Sequence, residues 1–188
     1  MGKRYGMVID LDRCIGCHTC SMACKAEHGI QKGSWITVYT IGGMHMDTPA
    51  GIYPDLKMSY LPKSCMHCVE APCMEVCSSG AIVRRNDGIV LIKEEECDGC
   101  QICLEACPYQ VIFWDEANNV AKKCDFCHLR VDEGEVPYCV RCCETEALHF
   151  GDLNDAQSNV YKLIKKKEAY NLLPERETKP SVFYFTIR

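Results

Sequence analysis

Residues 97–108 read CDGCQICLEACP. Cys97, Cys100, Cys103 and Cys107 are separated by two, two and three residues, and Pro108 follows the last of them. The same spacing occurs upstream in CIGCHTCSMAC, at Cys14, Cys17, Cys20 and Cys24. A third set, CMHCVEAPCMEVC, holds Cys65, Cys68, Cys73 and Cys77 with a longer middle gap. The stretch Lys122–Leu148, KKCDFCHLRVDEGEVPYCVRCCETEAL, holds five cysteines where one four-ligand site needs four. Cys142 and Cys143 are adjacent there, so one of them is spare.

Seventeen cysteines in 188 residues is far above ordinary usage. A secreted disulfide scaffold is the plainest explanation of such a count, and three features oppose it. The number is odd, no apolar signal segment follows Lys3-Arg4, and nearly every cysteine lies within a few residues of the next, as shared metal ligation requires. No run of 18 apolar residues occurs, so no membrane span is expected. The formal net charge of −5 gives no footprint for nucleic acid. The run Lys165-Lys166-Lys167 reads as one solvated helix face.

The C-x2-C-x2-C-x3-C-P spacing suits a [4Fe-4S] cubane. Three closely spaced thiolates wrap one cluster, while the fourth points away and ligates the other cluster of a pair. Zinc sites instead offer two cysteine pairs separated by a dozen or more residues. The stretch from Cys124 onward could pass for one alone, but the sets at Cys14 and Cys97 could not. The set at Cys65 is followed by GAIVRRNDGIVLI, whose alternation and Asp87-Gly88 predict a β-hairpin. The set at Cys97 is followed by YQVIFWDEANNVAKK, a second hairpin turning near Asn118-Asn119.

That alternation of set and hairpin is the layout of a two-cluster ferredoxin. The expected fold is α+β and ferredoxin-like: two interleaved two-cluster ferredoxin units with β-hairpins and short helices. Residues 65–119 form the central unit. Residues 1–30 and 120–153 form the other from the first and fourth sets. Residues 31–64 are an insertion with a strand in SWITVYTI and a Gly/Pro-punctuated loop after it. Residues 154–188 are a short amphipathic helix, capped by Asn154 or Asp155 with Val160, Leu163 and Ile164 inward, and an extended tail, KPSVFYFTIR.

Taken together, MVIDLDRCIGC, the CMHCVEAPC gap, CPYQVIFW, KKCDFCHLRV…VPYCVRCC and KPSVFYF resemble the iron–sulfur electron-transfer subunits of the dimethyl sulfoxide reductase family of molybdenum or tungsten enzymes. GIYPDLKMSYLPKSCMHC, NDGIVLI and the tail are similar also to the small subunit of pyrogallol–phloroglucinol transhydroxylase. Such transhydroxylase relatives lack one full cluster, whereas all sixteen ligand positions are present here. The family pattern ends the fourth set in C-x3-C-P, which selects Cys143 and leaves Cys142 a non-ligand. Glu144 and Ser78 replace the prolines after Cys143 and Cys77, a departure that bears on local turn geometry.

The resemblance implies four [4Fe-4S] clusters. Their ligands would be Cys14, Cys17, Cys20 with Cys143; Cys124, Cys127, Cys139 with Cys24; Cys97, Cys100, Cys103 with Cys77; and Cys65, Cys68, Cys73 with Cys107. It implies that the Cys14 site faces a catalytic subunit carrying Mo- or W-bis-molybdopterin guanine dinucleotide, and that the Cys65 site lies at the far end. A quinol-linked membrane anchor subunit or a soluble donor would supply or take the electrons. The location would be cytoplasmic, or periplasmic by co-export with a signal-bearing partner. Oxygen-labile clusters fit anaerobic respiration.

The chain itself shows no catalytic motif: no GxGxxG, no P-loop, no Ser-His-Asp set. It is expected to be non-catalytic, an electron-transfer subunit of an oxidoreductase complex. Two further classes are a free polyferredoxin and a structural cluster subunit of an enzyme without net redox change. Gly16 and Gly99 are expected to let the backbone approach the clusters and offer N–H groups. His18 and His67 are expected to be packed or solvent-facing more than bonded to a cluster, and Trp35, Trp114 and the tyrosines to be anchors. A small chain stapled by so many thiols should owe much of its folding to metal. The iron-free chain should therefore lack a cooperative melt followed by circular dichroism; a native-like spectrum with a sharp transition would refute this.

Overall fold

The computed structural model describes residues 2–186. It is a small α+β arrangement whose regular elements are short, because most of the chain is committed to cysteine loops. The strand β1 (Tyr5–Asp10) is the longest strand, with all residues but Tyr5 buried. Its near-continuous apolar run is what a strand covered on both faces requires. It pairs antiparallel with β8 (Leu148–Asp152) and parallel with β9 (Val182–Phe185), giving the order β8-β1-β9. Met7 and Ile9 join the main core, whereas Val8 meets Val160 and Phe185 on the opposite face. Gly6 is required there, since a Cβ would lie 2.4 Å from Ser181 O.

Three antiparallel hairpins complete the sheets: β2 (Ile36–Thr40) with β3 (Tyr60–Ser64), β4 (Ile82–Arg84) with β5 (Val90–Ile92), and β6 (Phe113–Asp115) with β7 (Val120–Lys122). The last two follow their cysteine sets as the alternation predicts, and the positive φ of Gly88 (85°) and Asn119 (55°) marks the turns. The insertion holds two strands, not one. The partner β3 was not legible because Pro62 and Lys63 interrupt its apolar pattern, and a proline is tolerated where no ladder N–H is needed.

The helices are α1 (Thr19–His28), the single turns α2 (Pro72–Glu75), α3 (Ile102–Ala106), α4 (His128–Asp132) and α5 (Tyr138–Arg141), and α6 (Asn159–Lys167). α1 packs on α5, and α2 on α3. The tail helix starts later than expected. Ser158 caps it, accepting from Tyr161 N–H while its hydroxyl donates to Asp152 O. Asp155 instead heads the preceding turn, accepting from Gln157 N–H, which moves the cap downstream. Val160 is fully buried, and Leu163 and Ile164 pack beside it. Lys165, Lys166 and Lys167 occupy the last turn, where positive charge suits the helix dipole.

The tail is extended up to Thr186; its last two residues, Ile187 and Arg188, lie outside the described residues. No described helix is long and apolar enough to cross a membrane. Tyr184, fully buried in β9, donates its hydroxyl to Pro62 O at 3.0 Å and so ties the tail to the insertion. Tyr184→Phe should lower the stability of the metal-loaded chain by about 1 kcal/mol, read as a lower urea midpoint with an unchanged slope.

Candidate iron–sulfur sites

Each set folds the same way locally. The residue before the second cysteine takes a left-handed conformation in all four loops: Gly16 (φ 72°), His67 (44°), Gly99 (76°) and Phe126 (56°). After the fourth cysteine a tight turn recurs in three sets, whereas Cys24 lies inside helix α1. Gly80 N–H donates to Cys77 O, Gln110 N–H to Cys107 O and Glu146 N–H to Cys143 O, at 3.1, 3.0 and 3.0 Å. Residues 80, 110 and 146 all have positive φ. The missing prolines after Cys77 and Cys143 therefore leave this turn unchanged. The close approaches at Gly16 and Gly99 are to protein groups: a Cβ would lie 2.3 Å from the Tyr60 ring or 2.7 Å from the Asn119 amide.

These loops gather the cysteines into groups of four. One cavity is ringed by Cys24, Cys124, Cys127 and Cys139. A second is ringed by Cys65, Cys68, Cys73 and Cys107. A third is ringed by Cys77, Cys97, Cys100 and Cys103. Cys14, Cys17, Cys20 and Cys143 form a fourth group, in which Cys20 feels the other three. Cys142 closes α5, its N–H donating to Tyr138 O, and its half-buried thiol joins none of the three cavities.

The groups are ordered. Cys139 feels Cys20, and Cys124 feels Cys65, so the Cys124 group lies between the Cys14 and Cys65 groups. The packed turns α2 and α3 carry Cys73 and Cys103 and join the Cys65 and Cys97 groups. The Cys65 group thus has a neighbour on either side, which corrects the expectation that it stands at the far end. The Cys97 group takes that place. Exposure follows the same order. All eight thiols of the Cys124 and Cys65 groups are buried, whereas Cys17 and Cys100 in the outer groups are exposed.

Burial dominates the thiol electrostatics. It pushes Cys20, Cys68 and Cys73 up to about 12 and Cys103 to about 11, and neighbouring cysteines of the same group add to the effect. Cys127 rises to about 12 and Cys24 to about 11 mainly through burial, with Asp125 adding negative charge to both. Burial is also the largest influence on Cys77. There hydrogen bonds from Ser79 and the N–H groups of Ile82, Ala81 and Gly80 outweigh it and lower the thiol. Four thiols held together in a dry cavity resist ionisation singly, and a shared cationic core relieves all four. An all-sulfur donor set is the one that soft iron–sulfur chemistry selects.

Three polar residues were not legible as part of the sites. His28 Nε2 lies 3.3 Å from Cys127 Sγ and 3.7 Å from Asp125 Oδ1, with its ring against Trp35. Burial lowers its basicity, and Asp125 opposes that only in part. Asp125 also accepts from Cys127 N–H at 2.8 Å. Lys123 is only 4% exposed and lines the Cys65 cavity. A lysine pair before a C-x2-C reads as surface, and nothing local separates the half-buried Lys122 from its buried neighbour. Of the two loop histidines, His18 reaches Asp47 of the insertion at 3.9 Å, while His67 is buried against Phe126 with ring centroids 3.7 Å apart.

Such groups of four thiols on left-handed loops define a 4Fe-4S dicluster protein. Family models described as 4Fe-4S dicluster domains match residues 56–153 and 6–87. A Halobacterium salinarum protein named for the iron-sulfur subunit of dimethyl sulfoxide reductase is 43% identical, covering 96% of this chain and 78% of that protein. The arsenate respiratory reductase iron-sulfur subunit of Shewanella sp. is 36% identical over 96% of this chain and 95% of its own length. A polysulfide reductase component of Wolinella succinogenes is 37% identical, with 97% and 94% covered. The chain thus belongs to the iron–sulfur subunits of the dimethyl sulfoxide reductase family of molybdoenzymes.

Cys143 shares its turn with Cys77 and Cys107, and its Sγ accepts from Ala147 N–H at 3.3 Å. Cys142→Ser should leave the iron content of the reconstituted chain unchanged. Cys143→Ser should remove up to about four irons per chain. Iron and acid-labile sulfide assays check both, and the reverse outcome would exchange the two roles.

Proposed function

We propose that this chain carries four [4Fe-4S] clusters as an electron wire in an oxidoreductase complex. The ligand groups are Cys14, Cys17, Cys20 and Cys143; Cys24, Cys124, Cys127 and Cys139; Cys65, Cys68, Cys73 and Cys107; and Cys77, Cys97, Cys100 and Cys103. When bound, each cluster supplies a one-electron redox centre. The two ferredoxin units are interleaved, residues 65–119 forming one and residues 1–30 with 120–153 the other. The observation that carries the reading is the graded burial of the four groups. Two fully buried groups lie between two that reach the surface, which is the arrangement needed to pass electrons through a chain and out at both ends.

The protein's part is to hold, insulate and tune. Apolar residues such as Met7, Ile36 and Phe126 exclude water from the inner groups. Backbone N–H groups donate to thiolates: Trp35 and Ile36 to Cys24, Tyr138 to Cys127. Such bonds favour the more negative, reduced state.

In this reading the Cys14 end docks on a molybdopterin-containing catalytic subunit, which holds the Mo- or W-bis-molybdopterin guanine dinucleotide. The exposed side chains around that end support it. Ile15 and Met22 are 60% and 62% exposed, and the insertion loop, joined there through His18 and Asp47, presents Met44, Ile52 and Tyr53 at 84% or more. A carrier free in solution gains nothing from such a surface. The Cys97 end, with fewer apolar side chains, would meet a membrane anchor subunit or a soluble partner. The complex would work in the cytoplasm, or in the periplasm after export with its partner.

The reconstituted chain should bind about sixteen irons and show four one-electron transitions in a redox titration followed by electron paramagnetic resonance. Native extract should yield it together with a molybdenum- or tungsten-containing subunit. A count near twelve irons, or elution only as a lone species near the chain mass of 21.2 kDa, would refute the reading.

A further inference from the structure

Lys123 stands where a lysine is costly. It is 4% exposed, and among the described residues no carboxylate pairs with it. Its neighbour Lys122 behaves as lysines usually do, pairing with Glu94 and Asp115 at 3.2 and 3.0 Å. Lys123 Nζ donates to the carbonyls of Val90 and Cys124, the latter at 3.1 Å. Burial raises Cys65 and Cys73, and Lys123 opposes that rise, at Cys65 by its charge and by a hydrogen bond and at Cys73 by its charge. A buried ammonium persists only where an opposite charge compensates it. Here the charge available is that of the Cys65 group itself.

Its position is fixed. The peptide of Val90 holds two side chains at once, accepting from Lys123 Nζ at its carbonyl and donating from its N–H to His67 Nδ1 at 3.0 Å. His67 then keeps its proton on Nε2, a buried atom without a partner among the described residues. Cys20 and Cys103, the buried thiols of the outer groups, have no lysine or arginine among their strongest electrostatic neighbours.

We propose that Lys123 is the internal counter-cation of the Cys65 site and raises the reduction potential of the cluster bound there. The inference rests on the reading that this group holds a [4Fe-4S] cluster. An oxidised cluster with four thiolates carries about −2, and reduction adds one electron while no bond forms or breaks. A fixed positive charge at the wall favours the more negative state, and the dry surroundings screen it little. Lys123 acts on the cluster through charge and through Cys65, so it is a positioning and tuning residue.

The test is a redox titration followed by electron paramagnetic resonance on the full chain with its clusters, as wild type, Lys123→Met and Lys123→Arg. The methionine variant keeps the volume and removes the charge. It should retain its iron and show one transition displaced downward by at least about 59 mV, a tenfold fall in the reduced-to-oxidised ratio at the wild-type midpoint. The other transitions should stay within a smaller displacement, and the arginine variant should return most of the loss. Loss of about four irons in the methionine variant alone would also support the charge. Unchanged potentials with methionine, an equal downward displacement with arginine, or loss of iron in both variants would overturn the proposal. Cys65→Ser separates the two levels: if it leaves both the iron content and the spectrum unchanged, the cluster reading itself fails.

Discussion

The rest of the structure depends on one constraint: thiolates gathered in a dry interior need a shared cation. Ten of the seventeen cysteines are buried. Burial drives several of their thiols to about 12, and within a group each ionised neighbour drives them further. In an ordinary domain such positions would be leucine or valine and would stabilise the fold by leaving water. In the reading proposed above they are ligands, and the core would be assembled around groups the chain must acquire. The short elements follow from this. Single-turn helices and three-residue strands are marginal alone, and the packing of the cysteine loops on one another fixes their geometry.

Much of this was legible because cysteine ligation is local. The two-two-three spacing and the hairpin turns at Gly88 and Asn119 depend on residues within a few positions of one another. What escaped sequence reading was long-range or hidden by a local exception. β9 pairs parallel to β1 across most of the chain, and no local pattern encodes such a crossover. β3 was concealed by Pro62, and the cap of α6 by a competing turn at Asp155. Lys123 was concealed by composition, since a buried lysine is identified only once its counter-charge is known. The order of the groups was misjudged because order follows from which loops pack together, not from their sequence.

The quasi-repeat is informative where it breaks. The left-handed position before the second cysteine holds glycine in both outer loops, where Tyr60 or Asn119 leaves no room for a Cβ. In both inner loops it holds a ring, His67 or Phe126, and the two rings stack at 3.7 Å. A left-handed conformation disfavours such residues, so the strain must be offset by what the rings do. Both are about 1% exposed. Phe150 meets Phe126 edge-on and stacks on Tyr5, so the pair continues into the β1–β8 sheet. The junction between the inner groups is thus a continuous aromatic wall that also anchors the sheet joining the two ends of the chain.

In the division into two units proposed above, that wall would join them. His67 belongs to the central unit and Phe126 to the unit made from the chain ends, so their stacking is an interface between them. Arg4, near the start of the chain, hydrogen-bonds to Ser181 Oγ, whose hydroxyl donates to His67 O. The tail thereby stitches the first strand to a cysteine loop of the other unit. Separating the units would expose the His67–Phe126 wall to water and open both buried groups, where solvent would raise the local dielectric and weaken every charge interaction that tunes them. In the proposed reading, interleaving would keep the path between the inner groups out of water, whereas two ferredoxins tethered by a linker would place their shared junction at a wet surface.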